Sequence, residues 1–450
     1  PPFFFSSLRR HPRCSGVSWA RRCVSETGSV FGVRNGSTLT NRTESTSSKD
    51  EAINKESLGA HCLPQMPSPA SVFAIIFPGY FISSYFPYDA QLESFEPSIW
   101  LAPVSLFSFS FLILGFVYYK KKLPGKIYDC IKFALNFDTS KRVTLIVIII
   151  VLVLYIGFSA NELSINEDGQ WSDYEVLKKA LQIWPSTESD DIYVQEQNSR
   201  YVRMALLVSS LETFQNIKIL PFVGSISLLI VTFLTASQIS HKRFSGIIAM
   251  LVLLQSHTFL HFDTVAVYEN FWILFFLLGL YLINKKWQLS SGLYLLAIFT
   301  KAFIFVFFLS TIFYIYRAEI SSRKKIWTIC SYGVAALIIL VIFSFGDSIY
   351  NDIIAISDSE FFLALNTLGY TLRYDIFIIL SLLPLTVGLF LTSRRGILQA
   401  DSILVLILTS LLVGPFISML TEFYFVLPYR FLPLIVFVAI GIGVFFSKKD

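Results

Sequence analysis

The chain has 450 residues, 54% of them hydrophobic and only 15% charged, with a formal net charge of +5. Soluble domains carry roughly 25% charged residues, so a water-soluble globular fold is excluded for most of this length. The small net charge is dispersed over short clusters, so no nucleic-acid partner is expected. Apolar runs long enough to span a ~30 Å hydrocarbon core as helices recur from about residue 70 onward. Alternating strand patterns are absent, which argues against a membrane barrel. The expected fold class is an all-α polytopic membrane protein with about a dozen crossings.

Residues 1–65 differ in kind. They are rich in Ser, Arg, Thr and Asn, hold no apolar run and begin with Pro1, and the first Met is Met66. Two readings compete: an Arg- and Ser-rich targeting segment, or sequence upstream of a native start at Met66. The second is preferred, and disorder is expected either way. Asn35-Gly36-Ser37 and Asn41-Arg42-Thr43 match the glycosylation pattern, but no domain surrounds them and chance explains them.

Residues 66–142 are expected to hold two membrane helices, near 70–87 and 99–119, and then a basic loop. Lys and Arg concentrate on cytoplasmic loops, so Lys120-Lys121-Lys122, followed by Lys126, Lys132, Lys141 and Arg142, places that loop inside. The run at 143–158 then leads out to an acidic segment, 159–217. Runs at 219–238 and 245–261 return and leave, with His241-Lys242-Arg243 between them. A short outer turn follows, and a run to Ile283 leads back to Lys285-Lys286. Arg317/Arg323/Lys324/Lys325, Arg394/Arg395 and Lys448/Lys449 fall inside under the same alternation. Both termini are then cytoplasmic, with residues 346–372 outside.

Between Lys285 and Arg317 this parity demands an even number of crossings. Residues 289–316 read at first as one long helix with Lys301 at its centre, a position costing roughly 2.5–3.5 kcal/mol on insertion scales. Two short helices, 289–300 and 302–316, remove both difficulties and put Lys301 at an outward apex. The alternative is a lysine snorkelling from one tilted helix. None of Cys14, Cys23, Cys62, Cys130 and Cys330 falls in an expected outer loop, so no disulfide framework is indicated.

Polar chemistry gathers at the outer helix ends in four places. The first is Asn166–Tyr174, with Glu167, Asp168 and Asp173, followed by an amphipathic stretch, Tyr174–Ile183, that reads as a helix on the membrane surface. The second is His261-Phe262-Asp263-Thr264, with Glu269 and Asn270 nearby. The third is Thr300-Lys301, and the fourth is Pro428-Tyr429-Arg430-Phe431. Singly, each has a plain explanation as a helix-end charge or structural ion pair. Together they suggest chemistry, because carboxylates deprotonate a nucleophile or hold a metal, and cations at membrane depth suit a lipid-carrier phosphate. No cofactor is assigned, although a divalent metal is compatible with the acids.

The order of these motifs resembles the GT-C superfamily of integral-membrane glycosyltransferases, most closely its uncharacterised archaeal members. The resemblance covers roughly 143–446, the last ten expected crossings. Glu167–Leu181 is similar to the acidic first outer loop, and His261–Tyr281 to the short second turn with its acid. Gly292–Lys301 resembles a Gly-Leu helix ending in Thr-Lys, and Tyr429–Gly441 a final helix opening with Arg and Pro. The resemblance implies a bundle of about ten helices (143–450) preceded by two extra ones. It also implies transfer of a sugar from a polyprenyl-phosphate donor to a lipid, glycan or protein acceptor.

By the same resemblance Asp168 or Asp173 serves as base or metal contact. Lys301 and Arg430 bind donor phosphate, and Asp263 and Glu269 support them. Family members usually carry Asp where Glu269 stands, and the Trp-Trp-Asp-Tyr-Gly motif is absent, so oligosaccharide transfer to Asn is not expected. The rival functions are a transporter or flippase and a non-catalytic relative. Transporters place charge at the midplane and often carry inverted repeats, whereas here charge gathers at one face and no repeat is detected.

Overall fold

The computed structural model describes residues 97–165, 167, 171, 173–186, 190–198, 200–345, 361–362, 364–365, 368, 375–421 and 428–447. Among them all regular structure is helical. The first part runs α1 (Pro97–Tyr119), α2 (Gly125–Asn136), α3 (Lys141–Ser159), α4 (Tyr174–Ile183), α5 (Ile192–Asn198) and α6 (Tyr201–Phe214). The bundle continues with α7 (Ile219–Ser240), α8 (Arg243–Leu253), α9 (His257–His261), α10 (Phe271–Ile283) and α11 (Trp287–Thr300). It ends with α12 (Phe308–Arg317), α13 (Ser322–Phe345), α14 (Ile376–Arg394), α15 (Gln399–Thr421) and α16 (Leu432–Val444). Short 3₁₀ turns at Ala160–Ser164, Ala302–Phe307 and Pro428–Phe431 link some of these.

Five of the described helices are long and apolar enough to cross a membrane: Lys141–Ser164, Ile219–Ser240, Ser322–Val341, Phe377–Arg394 and Gln399–Met419. Five shorter apolar helices accompany them. A helix in water buries its apolar stripe, yet α3 leaves Leu145, Ile146, Ile149, Ile150 and Val153 more than half exposed. Such a surface fits lipid. By contrast, α10 (FWILFFLLGLYLI) and α16 (LPLIVFVAIGIGV) are apolar all round and sit inside the bundle. Around α16 pack α7, α8, α14 and α15, and α10 lies against α7 and α11.

The helix ends sort by charge. Lys242 donates to the Leu135 carbonyl at 2.7 Å, and the amides of Arg243 and Phe244 donate to Asp138 at 3.0 and 3.1 Å. Arg395 lies over the Tyr119 ring, His241 faces Glu319, and Arg317 reaches Ser393. The basic loops therefore share one face. Because α3 runs away from that face and α7 runs toward it, the turn after α3 and the start of α7 meet at the other, where Lys218 donates to the Glu162 carbonyl at 2.7 Å.

Several expectations change in detail. The first extra helix, near 70–87, and residues 1–65 and 346–360 lie outside the described residues. The basic loop after α1 contains a helix of its own, α2. The run at 245–261 is two helices, because the Ser256 hydroxyl accepts the Phe259 amide at 3.0 Å and starts α9 afresh. The chain does break at Lys301, whose backbone is extended (φ −154°, ψ 109°) between α11 and the 3₁₀ turn. Helix α4 has the expected bounds, but Tyr174, Leu177 and Ala180 are buried against protein, in a cluster with Phe262, Tyr268 and Tyr429. Its apolar face is thus covered by the chain itself rather than reserved for the bilayer.

Helices α8 and α16 touch through small residues, as membrane helices do where backbones must approach. Ser245 Oγ donates to the Gly443 carbonyl at 2.5 Å, and a Cβ at Gly443 would meet the Ser245 carbonyl at 2.6 Å. Overpacking costs ~1–3 kcal/mol, so Gly443→Ala should lower the thermal midpoint in detergent. Gly292→Ala, at a glycine with nothing within 4 Å of an added Cβ, should not. Equal midpoints for the two variants would contradict this packing.

Candidate functional site

The face opposite the basic loops is built around residues 262–270, nine residues without regular helix, all buried. Buried backbone groups away from water need partners, and side chains, most of them from other segments, supply several of these. Glu167 accepts the Ala266 amide at 2.9 Å. Arg203 Nη2 donates to the carbonyls of Val267 and Ala266 at 2.8 and 3.4 Å. Ser225 donates to the Asp263 carbonyl at 2.8 Å, and Asn270 reaches the Phe262 carbonyl at 3.3 Å.

Arg203 does more than hold backbone. Its Nε donates to Glu269 Oε2 at 2.8 Å, with both side chains almost fully buried, and it also bonds Gln197. Glu269 is therefore a paired acid. The sequence did not show this partner, because the burial of Arg203 on one stripe of α6 with Leu207 and Ser210 appears only in the fold. A charge on a buried stripe requires a partner.

Two side-chain clusters flank this loop. In the first, Ser159 donates to Asp263 Oδ2 at 2.7 Å, Thr264 donates to Glu162 at 3.1 Å, and the Tyr155 ring is fully buried beside them. Lys218 closes the cluster by donating to the carbonyls of Glu162 and Ile165 at 2.7 and 3.0 Å. It also lies 3.8 Å from Glu167. Asp263 thus has its own set of partners, distinct from those around Lys301.

The second cluster brings together three residues singled out from the sequence. Tyr268 donates to Asp173 Oδ2 at 3.2 Å and stacks on Tyr429, ring centroids 4.4 Å apart. Lys301 Nζ lies 3.8 Å from the Tyr429 ring centroid and 4.9 Å from that of Trp272. Arg430 donates from Nε to the Tyr429 hydroxyl at 3.4 Å. Trp171 meets Tyr268 edge-on at 5.1 Å. The aromatic pair Tyr268–Tyr429, which the sequence did not single out as a link, connects the Asp173 carboxylate to the two cations. Asp168 lies outside the described residues.

Among the described residues, no ion pair involves Lys301. No group of three His, Cys, Asp or Glu side chains that would hold a metal occurs among them either. The chemistry available is a half-buried carboxylate, a phenol bonded to it and two cations beside one aromatic surface. No protein-family model, curated protein or solved structure matches the chain.

Burial pushes the Glu167 carboxyl above the usual glutamate range, partly offset by the Ala266 amide and the Lys218 ammonium. Burial pushes Lys218 down in turn. A carboxyl with a raised folded-state pKa binds more protons folded than unfolded. It therefore costs stability as pH climbs from the ordinary value of ~4.3 through the raised one. Glu167→Gln keeps an acceptor for the Ala266 amide and removes that titration. Its thermal midpoint should fall less than that of the wild type over this rise in pH, and parallel profiles would contradict the assignment.

Proposed function

We propose that the chain is a membrane glycosyltransferase of GT-C type, with about ten crossings in residues 143–450. It moves a sugar from a polyprenyl-phosphate donor to a lipid, glycan or protein acceptor at the face carrying Asp173, Lys301 and Arg430. The observation that carries this reading is the pair of cations gathered on Tyr429, one aromatic contact away from a carboxylate. Like charges at membrane depth repel and are tolerated where they face a polar cavity or an anion. A phosphate on a lipid carrier is an anion of the right charge and position. Clustering of these groups at one face, away from the helix midpoints, weighs against a transporter.

In the proposed reaction a first-loop carboxylate, Asp173 or Asp168, takes the proton of the acceptor hydroxyl. The acceptor oxygen bonds to the anomeric carbon of the donor sugar as the bond from that carbon to the phosphate oxygen breaks. The leaving polyprenyl phosphate takes the bonding electron pair, and Lys301 and Arg430 balance its charge. Tyr268, bonded to Asp173, orients the carboxylate.

The test is turnover of a panel of polyprenyl-phosphate sugars by the purified full chain in lipid vesicles, with divalent ions present, read as released polyprenyl phosphate. Replacing the base, by Asp173→Asn or Asp168→Asn, should slow turnover ~10²–10⁴-fold. Lys301→Gln should instead raise the donor KM. Wild-type rates in both Asp variants, or no turnover of any donor by the wild type, would sink the proposal.

A further inference from the structure

Helix α2 sits on the basic face, far along the chain from the site just described, and no transfer chemistry uses it. None of its residues is buried. Residues 120–124 join it to α1 and residues 137–140 join it to α3, so both its ends are tethered beside apolar helices. One stripe leans on the protein: Tyr128 stacks on Tyr118 with centroids 5.2 Å apart, and the Leu135 carbonyl accepts from Lys242. The remaining surface carries Ile127 and Phe133, 48% and 69% exposed, with Phe137 just beyond the helix. Phe133 and Phe137 lie together, centroids 5.8 Å apart. Exposed Cys130 falls one turn from Ile127.

The charge around this surface is one-sided. Residues 120–142 hold seven Lys or Arg and two Asp. Asp138 is occupied by the amides of Arg243 and Phe244, while Lys120, Lys121, Lys122, Lys126, Lys132, Lys141 and Arg142 are all exposed. Apolar side chains facing out from a helix tethered at the membrane edge, with a lysine fringe, match a helix lying in the interface. Clustered cations beside a membrane helix attract acidic headgroups, and salt screens that attraction.

We propose that α2 and its flanking lysines form a lipid-binding surface that seats on the anionic phospholipid headgroups of the leaflet at the basic face. Ile127, Phe133 and Phe137 enter the acyl boundary, while Lys120–Lys122, Lys126 and Lys132 contact phosphate. The lysines' charge, together with the apolar tips, favours a headgroup layer over a soluble anion. This inference holds whether or not the chain transfers sugar.

The full chain is tested with Cys14, Cys23, Cys62 and Cys330 changed to Ser, leaving Cys130 to carry the probe. It is reconstituted in phosphatidylcholine vesicles with and without phosphatidylglycerol. A nitroxide on Cys130 should be shielded from a water-soluble nickel relaxant and reached by oxygen. A dye at the same site should find headgroup-labelled phosphatidylglycerol enriched several-fold over labelled phosphatidylcholine at low salt. That enrichment should vanish in high salt, and in K120Q/K121Q/K122Q/K126Q/K132Q. The salt arm uses native lysines and so does not depend on how the variant folds. A water-exposed nitroxide in both vesicle types, or equal enrichment of the two lipids at low salt, would overturn the proposal.

Discussion

The membrane-side architecture rests on a single problem of hydrogen bonding: nine consecutive residues, 262–270, are buried without a helix to satisfy their backbone. Buried irregular backbone survives where protein or water supplies the missing partners. Glu167, Arg203 and Ser225 supply several of them, drawn from the segment before α4, from α6 and from α7. The segment between α3 and α7 is therefore fastened to the loop, and its position follows from that fastening. Breaking a buried ion pair on one side typically costs 3–5 kcal/mol, so Arg203 and Glu269 hold this arrangement as a unit.

From the stitched loop the site follows. Tyr268 is fixed between Trp171 and Tyr429, which sets where its hydroxyl meets Asp173. The break at Lys301 brings an ammonium to the other side of Tyr429. A continuous helix there would have left that charge at a helix midpoint. The same economy appears at the opposite face, where cations join loop to loop through Lys242 and Arg317. Among the described residues, charge thus gathers at the two ends of an apolar bundle.

Much of this was legible in the sequence, because membrane burial makes charge conspicuous. The helix Tyr174–Ile183 followed from its 3–4 spacing, and the break at Lys301 from the cost of a central lysine. Asp173, Lys301 and Arg430 could be picked out as polar groups at helix ends. What was not legible depends on tertiary contact. Nothing local distinguishes Tyr268 from the other 20 of the 21 tyrosines, and the role of Tyr429, although it sits in the fourth motif, appears only when the two rings stack. The paired state of Glu269 was hidden for the same reason, since Arg203 lies 66 positions away. The split of the 245–261 run turned on one serine cap that apolar periodicity does not register.

The fastening of residues 262–270 is tested most directly by hydrogen–deuterium exchange in the wild type and in Arg203→Gln, with α16 as the internal standard. Stitched by Arg203, the wild-type loop should exchange about as slowly as the buried helix Leu432–Val444. In the variant that loop should become fast while α16 stays slow. Rapid exchange of residues 262–270 in the wild type, or identical protection in both proteins, would contradict the claim that these side chains hold the loop.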